Sequence, residues 1–310
     1  MIVEPAPAKI NLALHIRRKR TDGYHDLETL FAFARDGDVV TVNAAERDVF
    51  TVTGPFAAAL SVISSPAEAG AQQPPSRFER AEPAHPSARN PATAFAGEDD
   101  NLVTRAASAF RAAFAIDQRY AIELDKRLPV ASGIGGGSAD AAATLRALAK
   151  LNAVDPQHPH LFTIAAALGA DVPACLLGRP ALGTGRGDRL DSLPLFGDLP
   201  LLLVNPRVGL ATAPMFAGWD GIDRGPISTG GTVLERAGQA GNDFTASATR
   251  AAPPVGKVLA MLSEAQGSSL VRMSGSGATC FALFEDEASR DQAATAAGQR
   301  GWWTMATVLV

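Results

Sequence analysis

Three short stretches of the chain carry residue types that could do chemistry. The densest is LPVASGIGGGSADAAATLRAL, residues 128–148, where glycines at 133, 135, 136 and 137 run into alanines and leucines that read as a helix starting near Ser138 or Asp140. A helix start leaves backbone N–H groups without intrahelical partners and carries the positive end of the dipole, while glycines let a bound group approach the backbone closely. The combination points to an anion site, a phosphate above all, with Ser138 able to cap the helix or to help hold a metal-bound phosphate. The stretch has no Lys-Ser/Thr after it, as a Walker loop would, and does not complete G-x-G-x-x-G. A glycine turn that only redirects the chain is the competing reading.

The second stretch is PAKINLALHI, residues 7–16, in which Ile10, Leu12, Leu14 and Ile16 alternate with Lys9, Asn11, Ala13 and His15. That is the period of a half-buried strand, and it puts Lys9 and Asn11 on one face. The third is LFTIAAALGADVPACLLG, residues 161–178. Leu161, Ile164 and Leu168 make a helical stripe closed at Gly169, and Asp171 precedes Pro173 at the start of the next element. Asp171 either caps that element or supplies the carboxylate partner that Lys9 needs.

The elements that must position these groups are read from the rest of the chain. Its 310 residues, 46% hydrophobic and 19% charged, can bury one large core or two ordinary ones. A net charge of -4 gives no broad attraction to nucleic acid or anionic lipid, so the expected partner is a small molecule. Cys175 and Cys280 sit in apolar sequence and read as buried free thiols in a reducing compartment. The N-terminus has no signal-peptide pattern and no segment offers 18 consecutive apolar residues, so a cytoplasmic location is expected. Oligomeric state is left open.

DVVTVNAAERDVFTVTG alternates like a hairpin, NLVTRAASAFRAAFA has helical spacing, and YAIELDKRLP reads as a strand closed by Pro129. Strands and helices mix irregularly without a fixed repeat, which favours an α+β architecture. Residues 62–97 are rich in proline and almost free of aliphatic side chains, the composition of a mobile surface insertion. His158-Pro159-His160 offers only two ligands around a proline and reads as loop rather than as a zinc site.

In chain order, PAKINLALHI, TDGYHDLETLF, DNLVTRAA, DKRLPVASGIGGGSADAAATLRAL, LGADVPACLLG and MSGSGATCFALF resemble the motifs of the kinase superfamily that includes galactokinase, homoserine kinase and mevalonate kinase. The two glycine loops mark the superfamily. DGYH, GADVP and PAKINL narrow the resemblance to its isoprenoid-pathway family, the 4-diphosphocytidyl-2-C-methyl-D-erythritol kinases. It spans nearly the whole chain outside the proline-rich stretch.

The resemblance implies a two-domain α+β kinase fold, with an ATP-binding domain over residues 1–175, a ferredoxin-like domain over 176–310 and the active site in the cleft between them. It implies transfer of the γ-phosphoryl of ATP to the 2-hydroxyl of 4-CDP-2-C-methyl-D-erythritol, giving the 2-phosphate and ADP, with Mg²⁺ accompanying the ATP. Lys9 and Asp171 match the family's catalytic pair. Pro129, Val130, Ala131, Ser132, Gly133, Ile134, Gly135, Gly136, Gly137, Ser138 and Ala139 match its phosphate loop, where Ser138-Ala139 stands in place of the usual Ser-Ser. Asn11, Tyr24, His25 and Phe31 match substrate-binding positions, the last three around the cytosine, and Asn101 and Lys126 match positions near the adenine. Leu182 stands where some members place a further aromatic residue of the base pocket. The rival readings are another small-molecule kinase of the superfamily, which gives no reason for Tyr24, His25 and Phe31, and an inert nucleotide-binding protein, which gives none for an intact Lys9 and Asp171.

Overall fold

The computed structural model describes residues 1–63 and 101–310; from residue 64 onward, the expected insertion at 62–97 lies outside the described residues. Strand β1 (Ile2–Lys19) and strand β2 (His25–Ala45) form a long antiparallel hairpin with register shifts at Pro7/Lys9, Asn11/Ala13 and Ile16/Arg18. Strand β3 (Val49–Thr53), helix α1 (Ala57–Ile63), helix α2 (Leu102–Phe114) and strand β4 (Arg119–Asp125) follow. The expected hairpin between β2 and β3 does not form. Both strands exist, but β4 lies between them, antiparallel to β2 and parallel to β3.

Helix α3 (Gly136–Leu151) follows β4, then α4 (Pro159–Leu168) and α5 (Val172–Leu177). Alanines at 139, 141, 142, 143, 147 and 149 are all buried, and side chains this small let α3 seat closely on the β1–β2 hairpin and on α2 and α5. Strands β5 (Ala181–Thr184) and β6 (Arg189–Ser192) pair with each other, and β5 pairs with β2. The first sheet therefore runs on past residue 175 to Ser192.

The second layer comprises β7 (Leu199–Asn205), α6 (Thr212–Ala217), α7 (Val233–Gln239), α8 (Thr245–Ala251), α9 (Pro253–Ser263), β8 (Ser268–Met273), β9 (Cys280–Phe284), α10 (Glu287–Gly298) and β10 (Trp303–Leu309). Its strands run β10-β7-β9-β8, antiparallel throughout, the order of a ferredoxin-like sheet. Val255, Val258 and Leu262 of α9 and Ala293 and Ala297 of α10 bury against Leu202, Val204, Cys280 and Ala282. The two sheets meet at β2 and β10, where Leu309 faces Ala34 and the Val310 N–H donates to Phe33 O at 3.0 Å.

This junction changes the reading of β1. The sequence pattern suggests a half-buried strand, yet residues 8–16 are all buried. Alternation here separates two interior faces. Ile10 and Leu12 pack with Leu201, Leu203 and Phe281 between the sheets, while Lys9 and Asn11 face a cleft.

Candidate active site

The glycine-rich loop is fixed by backbone. Its helix begins two residues before Ser138: Gly135 is the N-cap, at φ 63°, and no side chain caps the end. A left-handed conformation there favours glycine, and a Cβ on Gly135 would lie 2.9 Å from Lys9 Cε. The first bond into the helix ladder is Ala139 N–H to Gly135 O, at 2.8 Å. The amides of Gly136, Gly137 and Ser138 therefore precede the ladder and form the positive end of a 16-residue helix, with no acidic residue in its first turn. Ser138 does not act as the cap. It lines the cleft with Ala131, Ser132 and the glycines 133, 135, 136 and 137. Pro129 O accepts from the Ser132 hydroxyl at 2.6 Å, closing the loop on itself.

A second glycine loop, residues 274–277, packs backbone to backbone on the first. A Cβ on Gly133 would sit 2.4 Å from Ser274 O, and one on Gly275 would sit 2.7 Å from Gly133 O. The Ser274 hydroxyl donates to Gly133 O at 3.0 Å and accepts from Asn11 N–H at 3.1 Å. Thr279 N–H donates to Ser132 O and Lys9 N–H to Ile134 O, both at 3.0 Å. Loop, strand β1 and the Gly-Ser-Gly segment are thus one hydrogen-bonded unit.

Lys9 and Asp171 meet in this unit. Asp171 occupies the N-cap position of α5, but its side chain makes no capping bond; it pairs instead with Lys9 Nζ at 2.9 Å. Lys9 is almost fully buried and Asp171 is 37% exposed on its side chain, so the carboxylate is the member open to the cleft. Lys9 Nζ also donates to Asn11 Oδ1 at 2.7 Å, and Asn11 Nδ2 donates to Thr29 Oγ1 at 2.7 Å. The lysine can hardly move. Cys175, one turn into α5, has its thiol pushed up to about 12 by burial and by the Asp171 charge, which makes it inert as a nucleophile.

Beside the cleft, outside the residues that line it, Tyr24 and His25 form a second cluster that meets it through Arg186 and Phe216. Tyr24 stands 57% exposed at the tip of the β1–β2 hairpin, above an Asx turn in which its N–H donates to Asp22 Oδ1 at 3.1 Å. The His25 ring stacks on Phe216 of α6, with centroids 4.7 Å apart, and meets the edge of Trp219 at 5.9 Å. Burial and the charge of Lys19 hold the His25 imidazole below its ordinary range, which leaves it neutral at pH 7. Phe31 departs from expectation. It is 1% exposed, lies 5.6 Å beneath Lys9 Nζ and abuts Gly183 and Gly187, so it is a floor under the lysine rather than a wall of the base pocket.

The two residues expected beside adenine both have partners within the fold. Asn101 caps α2, accepting from Val103 N–H at 2.8 Å, while its neighbour Leu102 lines the cleft. Lys126 is 2% exposed and joins two carboxylates, Asp38 at 2.5 Å and Asp140 at 2.7 Å. Burial works against its ammonium, but Asp140 and Asp38 outweigh it and raise its pKa. Asp38 also accepts from the Arg127 and Leu128 amides, so the trio clips the end of β4 to the first turn of α3. With two carboxylates around one ammonium, burial followed by repulsion from Asp38 raises Asp140 to about 8.

The cleft has a volume of about 490 Å³ and draws walls from both halves of the chain: Lys9, Asn11 and Asp171 on one side, Thr212, Phe216, Phe244 and Ser276 on the other. Phe216 and Phe244 carry no motif and escape sequence reading. Among the described residues no helix is long and apolar enough to cross a membrane, and no group of three His, Cys, Asp or Glu side chains converges as a metal site. His158 instead caps α4, its Nδ1 accepting from His160 N–H.

A helix start fed by glycines, an interlocked Gly-Ser-Gly loop and a buried lysine paired with a cleft-facing aspartate fit a small-molecule kinase. Residues 101–179 match the family model for the GHMP kinases N terminal domain and residues 227–301 that for the GHMP kinases C terminal domain. A 4-diphosphocytidyl-2-C-methyl-D-erythritol kinase of Rhizorhabdus wittichii is 49% identical over 99% of this chain and 94% of its own length. One from Sphingopyxis alaskensis is 41% identical, over 97% and 96% of the two chains. A crystal structure of 4-(cytidine 5'-diphospho)-2C-methyl-D-erythritol kinase matches with a TM-score of 0.76 at 30% identity, covering 99% of each chain. Homoserine kinase from Cytophaga hutchinsonii, at 16% identity, TM-score 0.62 and coverage of 99% and 93%, shares the fold. This chain belongs to the 4-diphosphocytidyl-2-C-methyl-D-erythritol kinase family.

Proposed function

We propose that this ATP-dependent kinase transfers the γ-phosphoryl of ATP to the 2-hydroxyl of 4-CDP-2-C-methyl-D-erythritol, releasing ADP and the 2-phosphate. The observation that carries this reading is the Lys9–Asp171 pair, 2.9 Å apart, in the same cleft as the leading amides of α3. The amides of Gly136, Gly137 and Ser138 hold the nucleotide phosphates, with helix dipole and peptide donors in place of a Walker lysine. Asp171, open to the cleft, orients the substrate hydroxyl and accepts its proton as the new bond forms. Lys9, anchored by Asn11, places a fixed positive charge beside the oxygen and the moving phosphoryl group.

Ser138 presents a hard hydroxyl oxygen to the cleft and would hold Mg²⁺ together with the nucleotide phosphates, whose charge the ion would neutralise. The cytosine rests on Tyr24 and within reach of neutral His25, backed by Phe216. Stacking of this kind contributes on the order of 1–3 kcal/mol per base. On this reading the ATP-binding half and the ferredoxin-like half are the two domains, with catalysis in the cleft between them.

Phosphorus NMR of the purified protein with ATP, Mg²⁺ and 4-CDP-2-C-methyl-D-erythritol tests the proposal. ADP and a new phosphomonoester resonance, with the diphosphate linkage intact, are expected. Silence with this substrate, together with phosphorylation of mevalonate, homoserine or a sugar, would keep the fold and overturn the substrate.

A further inference from the structure

Arg186 belongs to none of the motifs that mark the family, yet it occupies a singular place. It sits in the turn between β5 and β6, flanked by Gly185 and Gly187, both at positive φ. The turn is closed by Gly187 N–H to Thr184 O at 3.1 Å and tied to β2 by Leu27 N–H to Gly185 O at 2.7 Å. The guanidinium is held by Asp188, through Nε at 3.0 Å and Nη2 at 2.8 Å, and lies over the Tyr24 ring at 5.4 Å. Its Nη1 edge is not used by Asp188.

Arg186 lines two cavities at once. One is the cleft that contains Lys9 and Asp171. The other is a neighbouring hollow of about 880 Å³ that also collects Arg18, Lys19, Arg20 and Arg189. Arg18 and Arg20 are paired with Asp22 and Asp26, whereas Lys19 and Arg189 make no ion pair among the described residues. The hollow therefore has a cationic surplus facing the base end of the site.

Taking the proposed substrate as given, its base and its reacting hydroxyl are joined covalently by a diphosphate. A group that touches Tyr24 and also lines the cleft of Asp171 must lie along that linkage. We propose that Arg186 is the specificity-determining residue that reads the substrate's diphosphate, its Nη1 edge donating to phosphate oxygens while its face holds one side of Tyr24 and leaves the other for cytosine. The kinase thereby recognises a cytidine diphosphate ester rather than cytidine alone.

Calorimetric titration of the full chain with cytidine and with CDP tests this, a non-hydrolysable ATP analogue being present to fill the phosphate loop. The unmodified protein is expected to bind CDP at least about tenfold more tightly than cytidine, the range of one charge-assisted contact. Arg186→Gln should bring that ratio to within about threefold of unity by weakening CDP far more than cytidine, and Arg186→Lys should retain part of it. Equal thermal midpoints of the variants exclude misfolding. An unchanged ratio in Arg186→Gln would overturn the inference, as would a parallel loss for both ligands, which would make Arg186 only a support for Tyr24. Equal binding of the two ligands by the unmodified protein would overturn it too, leaving the base pocket standing. Binding of neither ligand would remove the base pocket and the inference with it.

Discussion

The cleft around Lys9 and the side-chain cluster beside it are built on different physical plans. At the phosphate end, backbone meets backbone: two glycine loops whose α-carbons leave no room for a side chain, and a lysine that is 2% exposed and bonded to Asn11. At the base end, side chains from the hairpin tip, the β5–β6 turn and α6 converge on a partly open surface, with Tyr24 57% exposed. The first plan delivers charge to a fixed point and tolerates little change. The second delivers shape and stacking, which other side chains can supply. Leu182 illustrates this, being partly buried against the core between the sheets while Phe216, from a distant helix, provides the aromatic face.

If the plans differ as described, variants should separate by kinetic constant. Lys9→Met should have the largest effect, lowering kcat by about 10²–10³-fold, the scale for loss of one preorganised electrostatic contact. Its partner Asp171 is open to the cleft, so no buried carboxylate is orphaned and circular dichroism should be unchanged. Phe216→Ala should be smaller and of another kind. Removing the ring that stacks on His25 should raise KM for the cytidine substrate about tenfold, with kcat and KM for ATP within about threefold of normal. A fall in kcat alone would show that the base end also positions the hydroxyl and would break the comparison.

The smallest effect concerns pH. Burial, opposed by the Lys126 charge and reinforced by Asp38, raises Asp140 to about 8. Between the ordinary carboxylate range and that value the folded chain binds one more proton than the unfolded chain, so its contribution to stability is present at low pH and lost as pH rises through the window. The thermal midpoint should therefore decline between about pH 5 and pH 8, and Asp140→Asn should flatten the decline. An unaltered slope in the variant would assign the dependence elsewhere.

The phosphate end was legible in the sequence because it is built from contiguous segments whose residue types have few other uses. Gly133, Gly135 and Gly275 must be small, and Lys9 and Asn11 share a strand face by simple alternation. Where legibility failed, tertiary context decided. The strand at 49–53 alternates like one arm of a hairpin, but pairing is a long-range choice and β4 took the place between it and β2. Lys126 looks like a solvent-facing lysine next to the loop, and only the arrival of Asp38 and Asp140 from other elements turns it into a buried clip. Phe31 follows a motif and lies close to the site, yet its burial depends on Gly183 and Gly187, which sequence order places far away. Phe216 and Arg186 belong to no pattern, because a recognition surface assembled from single side chains leaves no periodic trace.

On the proposed mechanism Asp171 acts on the substrate hydroxyl while the glycine loop binds ATP independently of it. The most direct test is single-turnover phosphoryl transfer by Asp171→Asn at saturating substrates, with the ATP dissociation constant measured on the same preparation. The structure predicts a transfer rate at least about 10²-fold below normal, the lower end of a general-base contribution, with ATP affinity within about threefold. Near-normal transfer would remove Asp171 from the chemistry and contradict the account.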